Sequence, residues 1–236
     1  MNKNLFIYWN NGFENSPLIV KKCLQSWKNK NFKWNIHILS DNNLTKYINI
    51  KNYIDISNKN ISKAHFADII RVLLLEKYGG CWCDATTYCN IGLDDWLFKY
   101  IKSGFFAFCN PGPDRMLSNW FLYSEKNNYI ITEWRKYIIN YWKQHSKIEH
   151  YFMHHYLFAK IYNNDIKFKN IWNNTIKYDA KFPHTLLNYG LNKKINENIK
   201  SIINNNKSQI PLFKLTYKYD KSKVTNDSVI SYILNL

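Results

Sequence analysis

A long apolar helix pattern, followed by a glycine pair and a short apolar strand, constrains the fold more than any other part of the sequence. From Ser62 to Tyr78, apolar side chains cover most of the helix circumference, which predicts a buried helix. Gly79-Gly80 predicts the C-cap that ends this helix, and Cys81–Asp84 predicts the strand that follows. A buried helix that turns tightly into a buried strand is typical of a sheet flanked by helices.

Elements before this helix extend the pattern. Leu5–Trp9 predicts a buried strand, and Ser16-Pro17 predicts the start of a helix, with Ser16 as its N-cap. A second strand begins at Trp34 and ends at Ser40-Asp41. A short helix at about 43–48 and a short strand at 53–56 are also predicted. The β-α-β-α-β order predicts an α/β fold with a Rossmann-like, mostly parallel sheet flanked by helices.

The second half of the chain is patterned less regularly and predicts a more irregular, helical C-terminal half. Strands are expected over 104–109, 119–123 and 212–217, and helices over 129–142 and 150–162. The Asn- and Lys-rich segment 163–206 predicts loops with short elements. A terminal helix over 224–236 is expected to pack through Val229, Ile230, Ile233 and Leu236.

Polar residues stand at the carboxyl ends of three predicted strands. They are Asn10-Asn11-Gly12, Ser40-Asp41 and Asp84. Because ligands of doubly wound sheets bind outside these strand ends, we expect a ligand site there.

The buried helix carries polar side chains at a spacing of three. His65, Asp68 and Arg71 therefore line one face, and buried polar groups need partners. One interpretation is an internal Asp68–Arg71 ion pair with His65 as a hydrogen-bonding core residue. The other is a stripe that faces a polar ligand, with Asp68 accepting hydrogen bonds from hydroxyls and Arg71 donating them.

Asp84 shares a strand face with Trp82 and ends that strand. A carboxylate in this place suits a hard divalent ion such as Mg²⁺ or Mn²⁺, and Thr86 could add a hydroxyl. Alternatively, Asp84 caps the following turn. The sequence lacks the glycine-rich motifs of dinucleotide-binding proteins and P-loop NTPases, and the G-x-S-x-G motif of α/β-hydrolases.

The net charge of +16 predicts anionic partners: nucleic acid, acidic lipid or a phosphorylated substrate. A compositional bias toward lysine is the simpler explanation. Nucleic-acid binding is disfavoured because the lysines are dispersed, no binding motif is present and the informative residues include carboxylates. Apolar runs are too short for a membrane span or a signal peptide, so a cytoplasmic location is expected. The five cysteines predict free thiols.

The string R-V-L-L-L-E-K-Y-G-G-C-W-C-D-A-T over 71–86 resembles the signature of bacterial capsular polysaccharide synthesis proteins. Further similarity lies in I-Y-W-N-N-G (7–12), L-S-D-N-N (39–43), S-K-A-H-F-A-D-I-I-R (62–71), S-N-W-F (118–121), Y-F-M-H-H-Y-L-F (151–158) and K-L-T-Y-K (214–218). Those proteins are similar to glycosyltransferase family 32, which has a DxD motif and a GT-A fold. The resemblance implies one GT-A-like domain over 1–236, with a nucleotide-sugar-binding half (1–110) and an acceptor or closing half (111–236).

The resemblance also implies an activity. A hexose would pass from a nucleotide-sugar, a UDP-sugar above all, to a glycan or lipid-linked saccharide acceptor in capsule or surface polysaccharide synthesis. The anomeric configuration would be retained. A transferase that uses another activated donor is the alternative. A lipid-linked acceptor together with the basic charge would place the protein peripherally on the inner, anionic face of the membrane.

Roles follow from the resemblance residue by residue. Trp9 would stack on the uracil, Asp68 and Arg71 would hold the donor sugar, and Asp84 would be the first DxD carboxylate, serving ribose, metal (Mn²⁺ or Mg²⁺) and diphosphate. Thr86 stands at the second DxD position, where a hydroxyl is a weaker metal ligand than a carboxylate.

The remaining donor-site candidates come from later in the chain. Lys214 and Lys218 are candidates for closing over the diphosphate, with surface solvation as their alternative. Further candidates for the pocket are Asn119, Trp120 and His155, although His154-His155 on an aromatic helix is also typical of a structural pair.

Overall fold

The computed structural model describes residues 2–204 and 209–236. The strands in these ranges are β1 (Asn4–Tyr8), β2 (Asn35–Leu39), β3 (Gly80–Asp84), β4 (Thr87–Cys89), β5 (Phe105–Gly112), β6 (Arg115–Ser124) and β7 (Leu212–Lys214). The helices are α1 (Leu18–Lys30), α2 (Lys63–Tyr78), α3 (Leu93–Trp96), α4 (Tyr129–Gln144), α5 (Met153–Asn164), α6 (Ile166–Asn174), α7 (Thr185–Tyr189), α8 (Glu197–Asn204) and α9 (Val229–Asn235).

The central sheet has the strand order β2-β1-β3-β6-β5 within the described residues. Strand β1 runs parallel to both β2 and β3, whereas β6 runs antiparallel to β3 and β5. Four strands therefore point one way and β6 points the other. Strands β4 and β7 form a separate antiparallel pair. The predicted α/β fold with a mostly parallel, helix-flanked sheet is confirmed.

The sheet separates two apolar cores. Alternate residues of β1 point to opposite faces, as strand geometry requires. Leu5 and Ile7 pack into a core with α1 and α9, and Phe6 and Tyr8 into a core with α2, α4, α5 and α6. The result is a layered α/β/α arrangement, and the described part of the chain contains no helix with the length and apolarity required to cross a bilayer.

The connection from α2 to β3 depends on the glycine pair. The Ser62 hydroxyl accepts the His65 N–H at 3.3 Å and caps the start of α2. Gly79 ends the helix with φ 67°, and Gly80 follows with φ 104°. A Cβ atom at Gly80 would lie 2.4 Å from the Asn4 carbonyl oxygen. Glycine is required there because β3 starts in close contact with β1.

Several local predictions are wrong. Ser16 does not cap α1: its hydroxyl donates to the Phe13 carbonyl at 2.8 Å, and Pro17 holds the N-cap position. The helix expected at 43–48 is a single 3₁₀ turn, Leu44–Lys46. The strand expected at 53–56 does not form, and a 3₁₀ turn over Ile50–Asn52 precedes this segment.

The second half differs mainly in element boundaries. The segment 163–206 contains α6, α7 and α8, and its last two residues lie outside the described ranges. The late strand ends at Lys214, and the terminal helix begins at Val229. Leu236 is 48% exposed, so its predicted packing is wrong, whereas that of the other three residues is confirmed. All five cysteines are buried free thiols, as predicted. The division into halves at 110/111 stays a prediction.

Candidate active site

A cavity of about 710 Å³ opens at the carboxyl ends of β1 and β3. From β1 the chain passes to β2 on one side of β1 and then returns to β3 on its other side. Strands β1 and β3 therefore flank a topological switch point. Asn10 and Asn11, which follow β1, and Asp84, which ends β3, line the cavity as predicted. Gly12, Ser40 and Asp41 were expected there too, but none of the three lines it. The Asp41 carboxylate accepts the Tyr8 hydroxyl at 2.5 Å.

The structure brings every predicted site residue to this one cavity. Its lining includes Trp9, Asp68, Arg71, Asp84, Thr86, Asn119, Trp120, His155, Lys214 and Lys218. The roles assigned to these residues stay predictions.

Asp68 is held by three side chains from three elements. Its Oδ1 accepts from an Arg71 Nη1–H and from Asn119 Nδ2 at 2.7 Å. Nδ1 of His154 lies 2.9 Å from Oδ2. Burial raises the pKa of Asp68, but Arg71 and His154 outweigh it and hold that pKa well below its usual range. Asp68 is therefore a carboxylate at neutral pH.

Arg71 joins helix α2 to the end of strand β3. Its second terminal nitrogen, Nη2, donates to Asp84 Oδ1 at 2.9 Å, and only 4% of its side chain is exposed. The Trp82 indole N–H donates to the same Asp84 oxygen at 3.0 Å, and the guanidinium lies 5.2 Å from the Trp82 ring centroid. The internal Asp68–Arg71 pair is thus present, and both residues also line the cavity. That they bind a polar ligand there stays a prediction. Asp84 is held by side chains instead of capping the following turn.

Lys214 extends this row of charges. Its ammonium group donates to Thr86 Oγ1 at 2.7 Å and lies 3.3 Å from Asp84 Oδ2. Its side chain is 16% exposed, so it is not a solvated surface lysine. Asp68, Arg71, Asp84 and Lys214 form a row of alternating charge along the cavity wall, which we call the charge row.

The two adjacent histidines differ. Trp142 donates its indole N–H to His154 Nε2 at 3.2 Å, so Nδ1 carries the hydrogen that faces Asp68. His154 is fully buried and structural, as the alternative interpretation held. His155 lines the cavity, its Nδ1 has no hydrogen-bond partner among the described residues, and burial lowers its pKa to about 4.

Aromatic rings form much of the remaining wall. Trp9 and Tyr217 meet edge to face with centroids 5.3 Å apart. Trp120 stacks on Phe108 at 4.9 Å and lies against His184. A flat apolar ligand group could therefore lie beside Trp9 and polar groups beside the charge row.

A comparison with known families decides which family the chain belongs to. The family model described as capsular polysaccharide synthesis protein matches residues 1–233. The chain belongs to the capsular polysaccharide synthesis protein family.

Curated relatives of this family member are glycosyltransferases from fungi, whereas the sequence resemblance pointed to bacterial proteins. The O-glycosyltransferase braB of Annulohypoxylon truncatum is 28% identical over 151 residues, which cover 56% of this chain and 36% of the relative. Glycosyltransferase afumC of Aspergillus fumigatus is 25% identical over 154 residues, which cover 57% of this chain and 39% of the relative. The match thus spans little more than a third of the length of these relatives.

One solved structure, a PaToxG glycosyltransferase, aligns with this family member at a TM-score of 0.47 and 16% identity, covering 89% of this chain and 87% of that one.

The residues around Asp84 fit a divalent metal poorly. One Asp84 oxygen is shared by Arg71 and Trp82, the other faces the Lys214 ammonium, and that ammonium also binds Thr86. Within residues 2–204 and 209–236, no group of three or more His, Cys, Asp and Glu side chains is arranged to hold a metal ion. Hard divalent ions take about six oxygen ligands and are repelled by neighbouring cations. The predicted Mn²⁺ or Mg²⁺ at Asp84 stays a prediction.

Sequence reasoning missed several lining residues, among them Lys63, Arg115 and Tyr217. Arg115 was missed because the strand was expected to begin at Asn119, whereas β6 begins at Arg115 itself. Its guanidinium lies 3.8 Å from the Phe152 ring centroid. Tyr217 stands inside K-L-T-Y-K, so that motif was the available signal for it.

Proposed function

We propose that this family member is a glycosyltransferase that moves a hexose from a nucleotide-sugar, a UDP-sugar in the first place, to a glycan or lipid-linked saccharide. Retention of the anomeric configuration and a role in surface polysaccharide synthesis are part of the proposal. The observation that carries it is the charge row, which lies along the wall of a cavity at the end of β3. The volume of this cavity suits a small-molecule ligand.

The charge row matches the charges that such a reaction develops. When the bond between the anomeric carbon and the diphosphate breaks, negative charge collects on the leaving group and positive charge on the sugar ring. Lys214, Lys218 and Arg115 line the same cavity and would stabilise the diphosphate. Asp68 would lie near the ring. The proton of the acceptor hydroxyl would balance the charge of the released diphosphate.

Asp68 has capacity left for a sugar hydroxyl. Its Oδ1 already accepts from Arg71 and Asn119, but Oδ2 contacts His154 alone among the described residues. A carboxylate oxygen accepts two hydrogen bonds, so Oδ2 can take one more. Because three neighbours fix the carboxylate, it would orient a sugar with little loss of side-chain freedom.

Trp9 would bind the base. It follows β1 and lines the cavity, and its ring meets that of Tyr217 edge to face at 5.3 Å. With the base stacked on Trp9, the diphosphate of the same nucleotide would lie near Thr86 and Lys214. Tyr151 and His155 also line the cavity, and the acceptor would enter beside them.

The test is a thermal-shift screen of nucleoside diphosphates and nucleotide-sugars, followed by mass spectrometry of products formed with saccharide acceptors. UDP and one UDP-sugar are expected to give the largest shifts. If another activated donor gives a larger shift, that donor takes the place of the UDP-sugar in the proposal.

The companion variant is Asp84→Asn, which removes the charge at the end of β3 and keeps the shape. Transfer is expected to fall about a hundredfold or more with the fold intact, as for other losses of transition-state electrostatics. Asp227→Asn is the matched control, because Asp227 forms an exposed pair with Lys194. Near-full activity of Asp84→Asn would contradict the site assignment.

A further inference from the structure

The Lys214 ammonium lies where a bridging cation would lie. It contacts Asp84 Oδ2 at 3.3 Å and Thr86 Oγ1 at 2.7 Å, the two side chains that a metal bound to this D-A-T segment would use. A cation of charge +1 thus already joins the two positions.

The backbone holds this lysine in place. Lys214 pairs with Thr87 in the β4–β7 ladder, and its N–H donates to the Pro183 carbonyl at 2.9 Å. The next N–H, that of Leu215, donates to the Thr86 carbonyl at 2.9 Å. These main-chain hydrogen bonds hold Lys214 next to Thr86, so the two side chains are in contact without a large movement of either segment.

The donors and acceptors point to an anion, not to a metal. An ammonium group has three N–H donors, and two of them are directed at Asp84 and Thr86. The Thr86 hydroxyl accepts from Lys214, so its own hydrogen remains to be donated, and no acceptor for it lies among the described residues. One N–H and one O–H are therefore left on adjacent groups. A phosphate oxygen accepts such hydrogen bonds, whereas a metal ion requires acceptor atoms.

The local charge leads to the same conclusion. The four members of the charge row sum to zero, and Arg115, Lys218 and Lys63 add positive charge around the same cavity. A divalent cation at Asp84 would lie beside both Arg71 and Lys214 and be repelled by both.

We infer that Lys214, with Thr86, takes the place of the divalent metal and binds the diphosphate of the donor directly, so that donor binding in this chain does not depend on a metal. The inference rests on the proposed function, because a diphosphate-bearing donor is what Lys214 would bind. Asp84 then serves to position the ammonium group of Lys214.

The first arm of the test measures metal binding without any nucleotide. Mn²⁺ is titrated into the protein, and the electron paramagnetic resonance signal of free Mn²⁺ is followed. The wild-type chain is expected to leave that signal unchanged. The double variant Thr86→Asp/Lys214→Ala, which supplies a second carboxylate and removes the ammonium, is expected to bind one Mn²⁺ per chain. Circular dichroism verifies that this variant is folded.

The second arm measures UDP binding by calorimetry, in EDTA and in Mn²⁺. Wild-type affinity is expected to be equal in the two buffers. Lys214→Met keeps the aliphatic stem and should weaken binding in EDTA about tenfold or more, the effect of losing a charged hydrogen bond. The matched control is Lys223→Met, because Lys223 is exposed, pairs with Asp220 and does not line the cavity.

The outcomes separate the two proposals. Mn²⁺ binding by the wild type that Asp84→Asn abolishes, with UDP affinity lost in EDTA, overturns the inference and leaves the proposed function standing. UDP binding by Lys214→Met equal to that of the wild type in EDTA also overturns the inference. If no nucleoside diphosphate or nucleotide-sugar binds in either buffer, both proposals fail.

Discussion

Arg71 and Asp84 form the link between the buried helix and the central sheet: Nη2 of Arg71 donates to Oδ1 of Asp84 at 2.9 Å. The same guanidinium donates to Asp68 through Nη1, so one arginine pairs with two carboxylates from different elements. Two carboxylates this close would repel each other without it. The geometry of the candidate site therefore depends on a group that is almost fully buried.

Arg71→Met is expected to lower the free energy of unfolding by about 3–5 kcal/mol, because it leaves Asp68 and Asp84 without their shared cation. Urea denaturation followed by circular dichroism measures the change. Lys136→Met is the control, since Lys136 pairs with Glu133 on the exposed side of α4 and its loss should cost about 1 kcal/mol or less. Equal losses in the two variants would contradict the role assigned to Arg71.

Asp68→Asn separates sugar binding from structural pairing. The variant removes the charge near the donor sugar, while Arg71 keeps its bond to Asp84. Transfer from the nucleotide-sugar should fall on the order of a hundredfold, and the affinity for free UDP should stay nearly unchanged. Steady-state kinetics and calorimetry give the two numbers. Loss of UDP affinity together with transfer would show that Asp68 is a structural ion-pair residue.

Trp9→Ala tests base stacking. Loss of one aromatic platform costs about 1–3 kcal/mol, so UDP affinity should fall roughly tenfold or more. Trp9→Phe keeps a ring and is the matched control, with a smaller loss. Inorganic pyrophosphate carries no base, so its affinity should be the same in all three proteins. An equal loss for UDP and pyrophosphate would mean that Trp9 shapes the cavity instead of stacking on a base.

Local spacing predicted much of the site. The three-residue spacing on α2 predicted that Asp68 and Arg71 share one helix face, and both line the cavity. Strand alternation predicted that Trp82 and Asp84 share one strand face, and in the structure their side chains are hydrogen-bonded. The bridge from Lys214 to Thr86 joins residues 128 positions apart. Periodicity describes neighbours along the chain and carries no information about such a contact.

The errors in the fold have a similar origin. Ser16 matches the pattern of an N-cap, but its hydroxyl bonds to Phe13, in a turn that competes with capping. Arg115 was missed because the β5–β6 hairpin extends its pairing to Gly112 and Arg115, past the apolar stretch that signals a strand. Strand pairing, which depends on the partner strand, sets that boundary.

Association with an anionic membrane stays a prediction, made from the net charge of +16 together with a lipid-linked acceptor. Vesicles with anionic lipid should float the protein, and vesicles of neutral lipid should not, because basic residues gain about 1 kcal/mol each near an anionic surface. Added salt should release the protein through screening. Equal flotation with both lipids would contradict an electrostatic attachment.

His155 should make stability fall in mildly acidic solution. Burial lowers its pKa to about 4, and Asp68, Arg71, His154 and Arg115 are the charged or titratable groups that affect it. The unfolded chain takes up the proton near pH 6.5, before the folded chain does, so folding loses stability as pH falls from about 6.5 through about 4. The difference between these two pKa values corresponds to at most about 3.5 kcal/mol. Urea denaturation at a series of pH values should show this loss in the wild type and a smaller one in His155→Asn. Identical pH profiles for the two proteins would show that His155 is charged as readily in the folded chain as in the unfolded one.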